Sequence, residues 1–238
     1  MSLALHTSME DAVIFDLATQ PVRDLNAILQ TLPADTNQTA WTVLNPKGAH
    51  ALAVGITAPI TVTLDGPVGY YAAGMNDGGT VIINGNAATG VAENMMSGFV
   101  HVRGDASQSA GATAHGGLLV IDGNASARCG ISMKGIDIVV KGSVGHMSAF
   151  MAQTGNLVVC GDAGDALGDS LYEANLFVKG NVKSLGADCE VKELTDDKLA
   201  ILTDLLRQAG SDEDPKTFTL YGSARTLYHF HVDNAGAY

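Results

Sequence analysis

Three cysteines, Cys129, Cys160 and Cys189, are the side chains of this 238-residue sequence best suited to nucleophilic or metal chemistry. Their wide spacing, with no CxxC, fits neither a zinc site nor a disulfide framework, so they read as reduced thiols of a cytoplasmic protein. His229 and His231 form an HxH pair that would share one strand face, without a third ligand nearby in sequence. His115 and His146 fall in loop positions. There is no GxSxG elbow and no phosphate loop with its Lys-Ser/Thr pair, and the Gly-rich turns lack the strand–loop–helix context of a dinucleotide fingerprint. Asp65, Arg103, Asp122, Lys141 and Lys179 share one column of the repeat described next, and their mixed signs describe a salt-laced surface better than an acid/base pair. The sequence thus offers no catalytic, cofactor-binding or metal-binding residue of its own.

The element that positions all of these is a repeat. Gly66, Gly85, Gly104, Gly123, Gly142, Gly161 and Gly180 recur at every nineteenth position without slippage. Fixed-period self-similarity indicates a stacked architecture. Four residues before each glycine stand Val62, Val81, Val100, Leu119, Ile138, Leu157 and Leu176. Two before it stand Leu64, Ile83, Val102, Ile121, Val140, Val159 and Val178. Alternate positions of a strand face the same way, so each unit carries a short strand with an aliphatic inner face. After each glycine comes Pro67, Asn86, Asp105, Asn124, Ser143, Asp162 or Asn181, all turn formers, so each glycine reads as a corner that tolerates positive φ. Seven residues past it lies a column no larger than a methyl group (Ala73, Ala92, Gly111, Gly130, Ala149, Gly168, Ala187), where backbone is expected to pass close to backbone.

A unit this short cannot close its own core; stacked units can. The fold expected is all-β, a right-handed parallel β-helix of about seven coils over residues 59–190, with short flanking α-helices capping its ends. A propeller blade needs about 40 residues, and a leucine-rich repeat needs its own Leu/Asn pattern. Residues 1–58 read as an N-terminal segment, with a helix from Pro21 to about Leu29 showing Val22, Leu25, Ile28 and Leu29 on one face. Trp41–Ile56 reads as irregular or partial-coil structure. In residues 191–238, Thr195 caps an amphipathic helix with Leu199, Leu202, Leu205 and Leu206 on one face and Gly210 as its stop. An aromatic tail containing Tyr221, Tyr228 and Phe230 follows.

A formal charge of −12 argues against nucleic acid. No uninterrupted apolar stretch approaches the length a membrane-spanning helix requires. Aromatics are scarce and gather towards the end of the chain, so the solenoid core must be aliphatic and the tail folds back on it or docks onto another protein. Within the coils, polar and charged residues sit among methionines: Met75, Asn76 and Asp77; Glu93 and Asn94 before Met95-Met96; Ser132-Met133-Lys134. These corners are either solvated, with Met as gap filler, or a strip facing a partner.

The Gly-rich coils, with Asn45-Pro46-Lys47-Gly48-Ala49-His50 before them and Gly168-Asp169-Ser170 and Gly186-Ala187-Asp188 near their end, resemble the GXGXG β-helix domain. That family includes the C-terminal domain of the glutamate synthase large subunit and the C subunit of formylmethanofuran dehydrogenase. Three segments, Gly69–Gly79, Val91–Gly98 and Gly130–Asp137, are most similar to one branch, and the ending Tyr221–Arg225 through Asp233-Asn234-Ala235 resembles it too. The branch is the separately encoded β-helix subunit of N-methylglutamate synthase, also called methylamine–glutamate N-methyltransferase.

The resemblance implies a structural subunit of a hetero-oligomer. An amidotransferase-like subunit and a flavin synthase subunit would carry the reacting groups, with FMN and an iron–sulfur cluster in the synthase. Met75, Asn76, Asp77, Glu93, Asn94, Lys134, Tyr221, Tyr228 and Phe230 would be interface anchors. Alternatives are the C subunit of a formylmethanofuran dehydrogenase or formyltransferase/hydrolase complex, and a self-assembling scaffold. A secreted polysaccharide-acting β-helix would need a signal peptide, which Met1–Glu10 does not resemble.

Overall fold

A computed structural model describes residues 12–225. The chain runs β1 (Val13–Asp16), α1 (Val22–Thr31), β2 (Ala40–Leu44), β3 (Thr61–Asp65), β4 (Thr80–Ile83), β5 (Phe99–Val102), β6 (Leu118–Ile121), β7 (Lys134–Val140), β8 (Thr154–Val159), β9 (Asn175–Val178), β10 (Cys189–Lys192), α2 (Asp196–Gln208) and β11 (Thr219–Ser223). Strands β1 to β9 pair in parallel in chain order, giving a β-solenoid of about seven turns. From Thr61↔Thr80 to Leu157↔Leu176 the register advances by the period of the glycines at every coil. A second ladder repeats that period at single bridges, Val68↔Ala87↔Ala106↔Ala125 and onward to Val182. The stack begins before residue 59. Trp41 pairs with Val62 at an offset slightly longer than the period, and Val13 pairs with Trp41 across the inserted α1. The two aliphatic columns are fully enclosed, as their period-two pattern requires.

The turn glycines have a different cause from the one expected. Of the seven, only Gly66 has a left-handed φ, +143°. The other six are glycine because atoms of the preceding coil occupy the space of a Cβ. A Cβ on Gly104 would fall on the Asn86 carboxamide oxygen and 2.9 Å from the Gly85 carbonyl carbon; one on Gly123 would meet the Asp105 carboxylate and the Gly104 carbonyl. The turn formers beside the glycines use that gap. Asn86 Oδ1 accepts from Asp105 N–H (2.9 Å), Asp105 Oδ1 from Asn124 N–H (2.7 Å), Asn124 Oδ1 from Ser143 N–H (2.9 Å), Ser143 Oγ from Asp162 N–H (3.0 Å), and Asp162 Oδ1 from Asn181 N–H (2.7 Å). Glycine and its polar neighbour form one device: the first makes room, and the second pins the next coil.

The small-residue column marks the opposite corner, where the backbone alternates its hand. Ser109, Gly111 and Thr113 have φ of 60°, 66° and 55°, and Arg128, Gly130 and Ser132 of 60°, 69° and 52°. Alternation flips successive peptide planes, so N–H groups bond to coils on either side in turn. Ser109 and Thr113 donate forward to Ala127 and Ile131, and Gly111 donates back to Val91. Non-glycine residues in this region cost on the order of 1 kcal/mol or more each, offset here by ladder bonds on both sides. In the last coil the spacing shortens by one, with Leu167 bridging Leu185. With that spacing Asp188 (φ 61°) is the equivalent of Ser170 (φ 56°), and Gly168 answers to Gly186 and not to Ala187.

The flanks differ from simple end caps. Helix α1 does cover the first coils: Leu25 and Leu29 enter the main core, and Asn26 and Gln30 donate to the carbonyls of Ala51 and Val54. Ile28, expected on the same face, is exposed. Helix α2 lies along the side. Leu202, Leu205 and Leu206 pack on the outer faces of β6–β9, against Leu118, Val120, Val139, Val158 and Phe177, in a second cluster separate from the main core. Thr195 occupies its N-cap, with the hydroxyl directed to the Asp197 carboxylate. Gly210 (φ +62°) and Ser211 close its C-terminus by donating to Arg207 and Leu206, a Schellman arrangement. The far end of the stack is closed by β11, which runs antiparallel between β9 and β10.

Beneath α2 runs a polar ladder. Asn175 donates to Asn156 Oδ1 (2.9 Å) and Asn156 to Asp137 Oδ1 (2.7 Å). Burial pushes the Asp137 carboxyl up, and Asp204 on α2 adds repulsion. A raised carboxyl favours the protonated native form, so its cost is fully present above the folded pKa and vanishes below the unfolded value. Asp137→Asn keeps an acceptor for Asn156. It is expected to stabilise the protein at pH 7 by at most about 1 kcal/mol, with the gain gone at pH 3; urea melts at both pH values check this.

Candidate interaction surface

The alternating corner presents two outward columns along the solenoid, the first of them half-buried at Thr113, Ser132 and Ser170. One carries Met75, Asn94, Thr113, Ser132, Met151 and Ser170; the other, two residues on, carries Asp77, Met96, His115, Lys134, Gln153 and Tyr172. Ladder bonds hold them in step, as Lys134 N–H donates to Ala114 and His115 N–H to Met95. The inward residue between the columns is Asn76, Met95, Ala114, Met133, Ala152 or Leu171, each buried. Met75 (56% exposed) and Met96 (47%) in the first two coils, and Met151 (45%) and Tyr172 (47%) in the last two, therefore place large apolar side chains on one face, with Thr113, His115, Ser132 and Lys134 between the two pairs. At the first corner His50 stacks on Tyr70, ring centroids 4.6 Å apart, and accepts from Tyr70 N–H at Nδ1. Tyr71 lies beside it over Gly90.

Over 226 residues the chain is 62% identical to Protein GlxC of Rhizobium meliloti (strain 1021), an alignment spanning 94% of this chain and 99% of that protein. The chain belongs to the GlxC family. No family model matches it, so the GXGXG resemblance stands on the quoted residues alone.

In this GlxC-family chain the expected interface residues separate into groups. Met75, Asp77, Asn94 and Lys134 are exposed on the two columns, and Glu93 is half-buried beside them. Asn76 is corrected to an interior residue. It is fully buried and donates through Nδ2 to the carbonyls of Gly79 (2.8 Å) and Ser97 (3.1 Å), tying two coils together. Tyr221 is half-buried in β11 and packs against the main core. Tyr228 and Phe230, with the His229/His231 pair, lie outside the described residues.

The cysteines occupy three coils. Burial pushes the Cys129 thiol up to about 12, Cys189 up to about 11, and Cys160 upward as well, so none is a thiolate at neutral pH. Among the described residues no three His, Cys, Asp or Glu side chains are placed to hold a metal ion, and no helix is long and apolar enough to cross a membrane.

The salt-laced column expected from the sequence holds one cluster, of which His101 went unread. Asp122 forms an ion pair with Lys141 (2.7 Å) and meets His101 Nε2 (3.0 Å) across three successive coils of the sheet face. Partial burial raises its carboxyl, and the Lys141 and His101 contacts outweigh that, leaving it below the usual value. His101 was missed because it lies two residues ahead of the charge-bearing column. The geometry is that of an inter-coil clamp.

Proposed function

We propose that the chain is the β-helix subunit, itself non-catalytic, of a glutamate-synthase-like complex that makes N-methylglutamate. In this reading it aligns an amidotransferase-type subunit with a flavin synthase subunit. The overall reaction joins methylamine to the glutamate skeleton and releases ammonia. FMN and the iron–sulfur cluster belong to the synthase subunit, and the protein works in the cytoplasm.

The observation that carries this reading is the set of exposed methionine and tyrosine side chains, Met75, Met96, Met151 and Tyr172, on one face of the coils. Methionine and aromatic residues are enriched where proteins meet, and large apolar groups aligned on one face suit a docking surface. The choice of complex rests on the segments Gly69–Gly79, Val91–Gly98 and Gly130–Asp137. Full-length protein co-expressed with a flavin synthase subunit and an amidotransferase-type subunit is expected to elute with both. N-methylglutamate is expected to form only with the synthase present. Product from this chain alone would falsify the proposal. Association solely with a formyl-transfer enzyme, or solely with itself, would replace it with one of the two alternatives.

A further inference from the structure

The central coils of the exposed corner differ in charge from its ends, where Asp77, Glu93 and Glu173 lie. The chain holds 25 acidic residues, yet between Asp105 and Asp162 only Asp122 and Asp137 occur. Both lie on the sheet side, Asp122 in the clamp with Lys141 and Asp137 beneath α2. The corner face of these central coils is therefore free of acid. It is not free of base: Arg128, Lys134 and His115 are all exposed there. Lys134 stacks on the coil of His115 in the same column, and Arg128 stands a few positions earlier in Lys134's own coil. Neither Arg128 nor Lys134 has an ion-pair or hydrogen-bond partner for its side chain among the described residues, a state they share with Arg23 and Arg103 elsewhere on the surface, whereas Lys141, Lys179, Lys183, Lys192, Arg207 and Arg225 are paired. The window ends at His146, which faces Asp165 in the next coil. Met96 flanks it one coil before His115, and Met151 one coil after Ser132.

We infer that this window is the docking site for an acidic segment of a partner protein, carboxylates on Arg128 and Lys134 and apolar side chains on Met96 and Met151. The net charge of −12 does not prevent this, because screening limits its reach to about 8 Å at physiological salt and contact depends on local sign. It does oppose nucleic acid, which needs an extended basic track. Unpaired cations between methionines are the complement of a carboxylate-bearing protein surface. The inference deepens the proposed function and rests on its premise that the chain works within a protein complex.

Full-length protein purified from its native cells through an affinity tag, in native and Arg128→Glu/Lys134→Glu forms, tests it. The native form is expected to retain a partner that zero-length carbodiimide chemistry links from its carboxylates to Lys134. The double charge reversal is expected to cut retention about tenfold or more. Arg128→Lys/Lys134→Arg is expected to keep it within about threefold, with all three proteins melting alike because both side chains project from the coil. Retention unchanged by charge reversal, no link to Lys134, no retained protein, or nucleic acid in its place would each overturn the inference. A partner linked to Lys134 that is neither a flavin synthase nor an amidotransferase-type protein would uphold the window and overturn the proposed complex.

Discussion

Gly123→Ala is expected to destabilise the protein by about 3 kcal/mol, and Gly130→Ala, later in the same coil, by no more than about 1 kcal/mol. Both add one methyl group at a corner. At Gly123 the methyl would fall on Asp105 Oδ1 and within 3.0 Å of the Gly104 carbonyl. Asp105 must then leave, and Asn124 N–H loses its acceptor. The cost combines overpacking of a backbone contact, about 1–3 kcal/mol, with the loss of an exposed hydrogen bond, about 0.5–1.5 kcal/mol. At Gly130 the nearest atoms are Met133 Sδ at 3.3 Å and Ile138 Cδ1 at 3.4 Å, both on side chains that can yield. Its left-handed φ is one that Ala73, Ala92 and Ala149 already adopt at the equivalent place in other coils. Urea melts of the two variants decide the matter, and equal losses would refute the division of labour between the corners.

Phe177→Ala carries the second large effect, about 3–5 kcal/mol. Phe177 is fully buried on the outer face of β9 and is the largest fully enclosed side chain of the cluster that holds α2. That cluster is separate from the interior of the coils, so the loss is expected to fall on the helix first. Limited proteolysis should open sites within residues 193–218 at denaturant concentrations where the coils still resist. Simultaneous loss of helix and coils would mean that the two clusters unfold as one.

The coil was legible because a close backbone approach admits one residue type, and a fixed period displays it seven times. The reason for that glycine was not legible. Composition suggests positive φ, which holds for Gly66, whereas Gly104 and Gly123 answer to a side chain one coil away that only the register places beside them. The same blindness hid the roles of Asn86, Asp105 and Asn124, which as turn formers explain a corner but as a ladder explain how coils stay in step. Helix α2 was legible from its leucine spacing and its Gly210 stop, but its position on the flank depends on Leu118, Val120 and Val139 presenting apolar groups outward. Strands β1 and β2 escaped because α1 and a longer second coil break the period. Of the candidate site, the Met-rich corners could be read as sharing one face once the coil was known. Asn76 could not be sorted from Asp77, because alternating hand turns adjacent residues to opposite sides. Arg128 drew no notice because it belongs to no motif; its signal was the absence of acid around it.

The closing strand β11 also sets an order of events during synthesis. Each strand from β4 to β9 pairs with the strand of the coil just made, so a growing chain can add a layer as soon as one more repeat emerges. Strand β10 has no such neighbour. It must wait through the whole of α2 until Thr219–Ser223 arrives and slips between it and β9. Until then β9 presents an open parallel edge able to recruit another nascent chain. A chain truncated just before residue 219 should therefore leave β9 as an open parallel edge, which Thr219–Ser223 covers when it is present.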